Sequence, residues 1–346
     1  MNPRVPVSGS QFDLAAGAYR ATIASVGATL RSLTHDGRDL VVPFDADALR
    51  PFYRGAILAP WPNRVINGTY RFNGVDRQLP LTEPARAHAL HGLAAWLEWT
   101  PVDEGDSAPD TAPDAAADAP TDRITLRTVI EPQAGYPHRV QLTVTYSLDA
   151  GGLHTGIEAL NLGADDAPYG TGPHPYLVAG AGRVDDWVLD LPASQVLTFT
   201  GERLIPDAVV EVDADVVADV VADAVADAPS DTPADASTRG PFDFRGGRRI
   251  ESTFLDHAFT GLAADDAGAT AVRVLTEDGS GVSISWGAEL PWVQVHTADQ
   301  ADQALNRIGL AVEPMTCPPD AFNSGTDLVV LAPGSTHRAD WTIAAV

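Results

Sequence analysis

The sequence predicts an all-β protein, a large antiparallel β-sandwich of the kind that carries few helices. Three observations lead there. Outside two acidic tracts the hydrophobic pattern has a period of two, and β-branched and aromatic residues fill the apolar positions. Gly, Pro, Asn and Asp punctuate the runs at short intervals, and helical periodicity is almost absent. Many short strands with turns between them argue for a sandwich and against strand-helix alternation.

Taken in order, strands are expected near 19–25 and 29–34, where Tyr19, Ala21, Ile23, Leu30 and Leu33 supply the apolar positions. A short strand follows at 69–72. The strongest alternation lies in 124–130, 139–148 and 152–161, with Val140, Leu142, Val144, Tyr146 and Leu148 on one face of the middle run. Further strands are expected at 184–190, 271–276, 281–286, 292–296, 327–331 and 335–343. Two Ala/Asp/Pro-rich tracts stand apart, at about 103–122 and 207–240. Aspartate recurs every fourth residue from Asp106 to Asp122 and from Asp215 to Asp235. Such small, charged residues bury little, so both tracts are expected to be loop insertions, with a short exposed helix over 216–228 as the alternative. They lack the glycines that turn calcium-binding acidic loops. A single domain spanning 1–346 with two insertions is the economical organisation, because sandwiches often run to 200–250 residues as one unit.

Composition excludes whole classes of function. The formal charge is -25, and nucleic acid or an anionic membrane surface would need a basic patch, so neither is an expected partner. The 22 basic residues are all Arg. Absence of Lys removes Schiff-base aldolases, pyridoxal enzymes and the phosphate-loop lysine of nucleotide hydrolases. Cys317 is alone, which rules out an intrachain disulfide and a cysteine zinc cluster. No GxGxxG or phosphate loop occurs, so no nucleotide cofactor is expected. Residues 1–11 lack a signal-peptide core and no run approaches 18 apolar residues, so a cytoplasmic protein is expected.

Against this background one segment stands out, Val312-Glu313-Pro314 followed by Cys317-Pro318-Pro319. The prolines restrict the backbone and remove donors near the carboxylate. A poorly solvated Glu has a raised pKa, which makes Glu313 a candidate general base; an ordinary surface Glu before a turn is the alternative. The partner acid is sought in Gly172-Pro173-His174-Pro175-Tyr176, where His174 is rigidly framed and titrates near neutrality. A packed core histidine is its alternative. Pro62-Asn63-Arg64 pairs a guanidinium fork with an amide, suited to vicinal hydroxyls or else to a structural ion pair. In His88-Ala89-Leu90-His91-Gly92, His91 beside a glycine suits a ligand that approaches the backbone, whereas His88 reads as surface decoration. Two histidines alone do not make a zinc site, so no metal is expected. Asp256, in Leu255-Asp256-His257, either holds a hydroxyl or caps a turn.

These residues resemble the aldose 1-epimerases, or galactose mutarotases. The likeness lies in Asn63-Arg64, Leu90-His91-Gly92, His174-Pro175-Tyr176, Asp256 with Phe259, Val293-Gln294-Val295-His296-Thr297, and Val312-Glu313-Pro314 leading to Asp320-Ala321-Phe322-Asn323, in that order along the chain. The resemblance implies a sandwich with an open groove, Glu313 as base and His174 as acid. It also implies that Asn63, Arg64, His91, Tyr176, Asp256 and Gln294 bind a small-molecule sugar, without a cofactor, in a monomer or homodimer. Leu93, His138 and His296 depart from the family's usual pattern and bear on sugar preference. Opening and reclosing an aldose ring needs one group to take a proton from the C1 hydroxyl and another to protonate the ring oxygen. The two are expected to face each other across a gap that a pyranose fills. Trp61, Trp96, Trp99, Trp187 and Trp292 offer apolar faces to sugar C-H surfaces, or fill the core. The alternatives are a non-catalytic sugar-binding module, or a hexose-phosphate epimerase using Arg54, Arg64 and Arg86 on the phosphate. A glycosidase would want two opposed carboxylates.

Overall fold

In a computed structural model of the chain, residues 4–102, 122–213 and 240–346 are described. The acidic repeats fall almost wholly outside them. The backbone is built on two large antiparallel sheets. One has nine strands, in the order Thr100–Pro101, Arg123–Ile130, Val140–Asp149, Gly152–Asn161, Thr336–Ala345, Gly281–Trp286, Thr270–Leu275, Val188–Asp190 and Arg248–Arg249. The other has six, in the order Tyr176–Leu177, Leu310–Met315, Trp292–His296, Asp256–Leu262, Ala193–Thr200 and Ile205–Glu211. A four-stranded N-terminal sheet runs from Gln11–Ala16 to Arg38–Asp39. The one α-helix among the described residues is a single turn, Ala321–Ser324. Among the described residues no helix is long and apolar enough to cross a membrane.

Alternation explains the layering. Along Val140–Asp149 every second residue is buried, and the same holds in Gly152–Asn161. Val293, Val295 and Val312 of the six-stranded sheet share one hydrophobic cluster with Val272, Ile284 and Trp341 of the nine-stranded sheet. That cluster is the core of the sandwich. Because successive side chains point to opposite faces, Gln294, His296 and Glu313 must then point away from it.

Several sequence expectations shift. The run at 184–190 opens as a 3-10 turn, Val184–Asp186, before Val188–Asp190 joins the sheet. The stretch from about 207, expected to open the second insertion, is still strand, since Ile205–Glu211 pairs with Ala193–Thr200. Val209 and Val210 supply β-branched residues there, and Val210 pairs with Val196. The proline-framed segment at Glu313 is a strand, Leu310–Met315, buried throughout. Pro314 is tolerated because the neighbouring strand Tyr176–Leu177 pairs no further than Ala311, leaving no ladder beside the proline on that side. His88 is fully buried, its Nδ1 accepting the Asn67 N–H and its Nε2 2.8 Å from the Arg203 carbonyl, so it clips two loops together and is not surface decoration.

Candidate active site

Sheet register assembles most of the site. Gln294 lies opposite Glu313 and Asp256 opposite His296, while His296 and Tyr176 both lie opposite Ala311. All five polar or aromatic side chains thus share the face turned away from the core. They line a pocket of about 350 Å³, within the usual range for small-molecule sites. His174 enters from the adjoining loop, anchored by its backbone: its N–H donates to the Ala56 carbonyl and its carbonyl accepts the Gly55 N–H.

Asn63, Arg64 and His91 reach the same pocket from a pair of short strands, Arg64–Ile66 and His88–Leu90. Asn63 and His91 both adopt left-handed backbone, at φ 52° and 60°, and they brace each other. The His91 N–H donates to the Asn63 carbonyl at 2.8 Å, and the Asn63 N–H donates to His91 Nδ1 at 3.2 Å. That bond fixes the tautomer: with Nδ1 accepting, the proton sits on Nε2. His91 therefore presents a donor. Gly92 makes the turn feasible, since at φ 71° a Cβ would lie 2.2 Å from the Ala59 carbonyl oxygen. Gly92→Ala is expected to lower stability by about 1–3 kcal/mol through backbone strain and to displace His91; a urea titration checks the first effect.

Titratable groups converge here. His174 Nε2 lies 3.4 Å from Glu313 Oε1, and both side chains are buried. Burial pushes the Glu313 carboxyl well above the usual carboxylate range, with Asp256 adding to the rise. Burial and the nearby His296 push the His174 imidazole down to about 3. Burial, reinforced by His174, likewise lowers His91. Asp256 moves the other way: burial alone would raise it, but His296 and Arg64 hold it below its ordinary value. Arg64 is gripped by Glu83 at 2.8 and 3.1 Å and lies 3.7 Å from Asp256. Asp256 in turn accepts from Gln294 Nε2 at 2.7 Å.

Three buried polar atoms on residues lining this pocket have no partner among the described residues, namely Glu313 Oε2, Gln294 Oε1 and His174 Nδ1. Buried polar atoms are ordinarily satisfied, so three such orphans on residues of one pocket set it apart from the surrounding core. His91, His174 and Glu313 also bring one potential metal-ligating atom each within 4.8 Å of one another. The donor set does not fit a metal, because His91 Nδ1 is engaged by a backbone N–H and its Nε2 carries the proton.

The structure brings all eight sequence-selected residues, Asn63, Arg64, His91, His174, Tyr176, Asp256, Gln294 and Glu313, to one pocket. The separation of Glu313 and His174 differs from expectation, since at 3.4 Å no ring fits between them. Both stand together on one part of the pocket lining. The tryptophans are not its platform either: Trp61, Trp99, Trp187 and Trp292 are buried, Trp96 is exposed, and none lines the pocket. Its aromatic walls are Phe52, Tyr53, Phe254 and Tyr176. Sequence reasoning passed over Glu83 and Tyr53. Glu83 carries the same signal as Glu313, a glutamate directly before a proline. Tyr53 carries none, yet its ring contacts those of both His91 and His174. His138 lies elsewhere, packed on Phe72 and Tyr136.

The site is thus a polar pocket, lined by titratable side chains, on the exposed face of the smaller main sheet. The aldose 1-epimerase family profile matches residues 10–344. The chain is 35% identical to the uncharacterized protein YihR of Escherichia coli strain K12, over 97% of this chain and 93% of that one. Its fold is similar to that of a galactose mutarotase-like protein from Clostridium acetobutylicum, at TM-score 0.74 and 16% identity, covering 96% of this chain and 94% of that one. A galactose 1-epimerase from Lactobacillus acidophilus matches at TM-score 0.68 and 18% identity, covering 96% and 93%. The protein belongs to the aldose 1-epimerase family.

Proposed function

We propose that the protein is a cofactor-independent aldose 1-epimerase of the cytoplasm, built as one domain with two acidic insertions, that interconverts the α and β anomers of a hexose. Glu313 takes the proton of the C1 hydroxyl and His174 delivers one to the ring oxygen. The observation that carries this reading is the 3.4 Å contact between His174 Nε2 and Glu313 Oε1 on the pocket wall. The two oxygens that exchange the proton both hang on C1, so their acid and base belong side by side. Ring opening breaks the bond between C1 and the ring oxygen and leaves an aldehyde; rotation about C1–C2 and reclosure yield the other anomer with no net change of atoms or electrons. Because the reaction is its own reverse, each partner must be able both to give and to accept. His91 Nε2–H and the Arg64 guanidinium can polarise sugar oxygens, and Gln294 Oε1 can accept from a hydroxyl.

The pair works while it holds a single proton, which rests on Glu313 and passes to His174 across the 3.4 Å contact before Glu313 acts as base and His174 as acid. A second proton removes the base, and this requires charging His174, which burial holds down to about 3. Loss of the one proton removes the acid, and the raised Glu313 carboxyl delays that loss. The profile of kcat/KM is therefore expected to stay high well below pH 6.5, with its acid limb near the depressed His174 value; an acid limb at the ordinary histidine pKa would contradict the one-proton pair. The primary test is polarimetry on freshly dissolved α-glucose and α-galactose. Saturable sugar binding without faster equilibration would identify a binding module instead. Arg64 and Arg86 do not support a phosphate clamp, since both engage Glu83.

A further inference from the structure

Two histidines of the pocket are set in opposite tautomers, each by one backbone contact. His91 Nδ1 accepts the Asn63 N–H, so its Nε2 carries the proton and donates. His296 Nδ1 lies 3.2 Å from the Leu255 carbonyl oxygen, which can only accept, so here Nδ1 carries the proton. In the neutral ring, Nε2 of His296 is then an acceptor. His91 polarises a sugar oxygen, whereas His296, whose side chain lines the same pocket, has no part in the proton transfer.

Strand register shows what that acceptor stands beside. In one row across the sheet Tyr176, Ala311, His296 and Asp256 follow one another on neighbouring strands, and in the next row Glu313 lies opposite Gln294. His296 and Gln294 are two residues apart on one face of one strand, roughly 7 Å along it. Gln294 Nε2 donates to Asp256 Oδ1 at 2.7 Å, which leaves Oε1 as the amide's acceptor. The strand therefore turns two neutral acceptors toward the pocket, in line with the carboxylate of Glu313. A sugar hydroxyl is a neutral donor, and an imidazole nitrogen held by its own ring partner can receive it without adding charge to a site that already holds Asp256 and Glu313.

Resting on the epimerase reading, in which Glu313 takes the C1 hydroxyl proton and His174 serves the ring oxygen, we infer that His296 is a further substrate-binding residue whose Nε2 accepts a hydrogen bond from one other hydroxyl of the sugar. The test compares the wild type with His296→Phe at about pH 8, above the ordinary histidine pKa, on glucose and its 2-, 3-, 4- and 6-deoxy analogues. Polarimetry gives kcat and KM, and calorimetry gives Kd. Phe keeps a flat ring, and the Leu255 carbonyl retains the Thr297 N–H at 3.0 Å as a donor. For glucose, KM is expected to rise by roughly 3- to 10-fold, the worth of one neutral hydrogen bond, with kcat little changed because other residues serve the reacting oxygens. One of the deoxy sugars is expected to show no rise, since it lacks the hydroxyl that His296 holds, and that sugar identifies the position. An equal rise for every sugar, as a merely structural role would give, or no rise for any, overturns the inference and leaves the epimerase reading in place. The same pattern in Kd without turnover of any sugar keeps His296 as a binding residue and overturns the epimerase reading. Absence of both binding and turnover for every sugar overturns the inference as well. If His296→Phe does not fold, His296→Asn takes its place, because Asn can keep the bond to the Leu255 carbonyl while placing no atom at Nε2.

Discussion

Glu313→Gln is expected to slow anomer equilibration by roughly 10²- to 10⁴-fold, and His174→Asn by a comparable factor, because each removes one of two proton carriers while keeping the shape of the pocket. The double variant is expected to lose little more than either single one, since an acid without its base has no proton to return. Polarimetry measures the rate, and circular dichroism with urea unfolding reports whether the fold survives. Linkage gives an independent control. Burial raises the Glu313 carboxyl in the folded protein, so its contribution to stability is present at low pH and is lost as pH rises through the folded value. Gln carries no such loss, so the unfolding midpoint of Glu313→Gln at alkaline pH should equal or exceed that of the wild type. Wild-type rates in both single variants would discard the catalytic assignment.

Arg64→Met carries the largest expected effect on stability. The Arg64 side chain is 8% exposed and that of Glu83 13%, so two carboxylates, Glu83 and Asp256, depend on one buried guanidinium. Removing a partner from a buried ion pair leaves uncompensated charge and costs about 3–5 kcal/mol, far more than the loss of an exposed pair. Part of the charge on Glu83 remains answered by Arg86 at 2.7 Å, and Asp256 keeps its bond from Gln294. The expected loss therefore falls toward the lower end of that range. Urea titration of Arg64→Met and of the Arg64→Met/Glu83→Gln double variant separates the cost of stranded charge from that of lost contacts, because the second substitution should restore part of the stability. A loss below about 1 kcal/mol in the single variant would show that the network behaves as an exposed one.

Much of the fold was legible in the alternation of Val140–Asp149, Gly152–Asn161 and Gly281–Trp286, where one face is core and the other is not. The site strands were less legible for a physical reason. Leu310–Met315 is buried on both faces, one against the core and one beneath the pocket, so its sequence shows no alternation and its proline suggests a loop. Asp256–Leu262, similarly, does not stand out from its neighbours by pattern. The chemistry was easier to find than the strands that carry it, because glutamate and histidine framed by proline and glycine are conspicuous wherever they fall.

By itself the sequence settled the β-rich class and the chemistries closed to a chain without lysine, since these depend on residue type and local spacing. Tertiary structure alone decided that Glu313 touches His174 instead of facing it across a ring. It alone showed that Glu83 answers Arg64, and that the Tyr53 ring lies against those of both His91 and His174. Those are relations between residues as many as 139 positions apart, from His174 to Glu313, and strand register, a property of pairing rather than of any one segment, sets them.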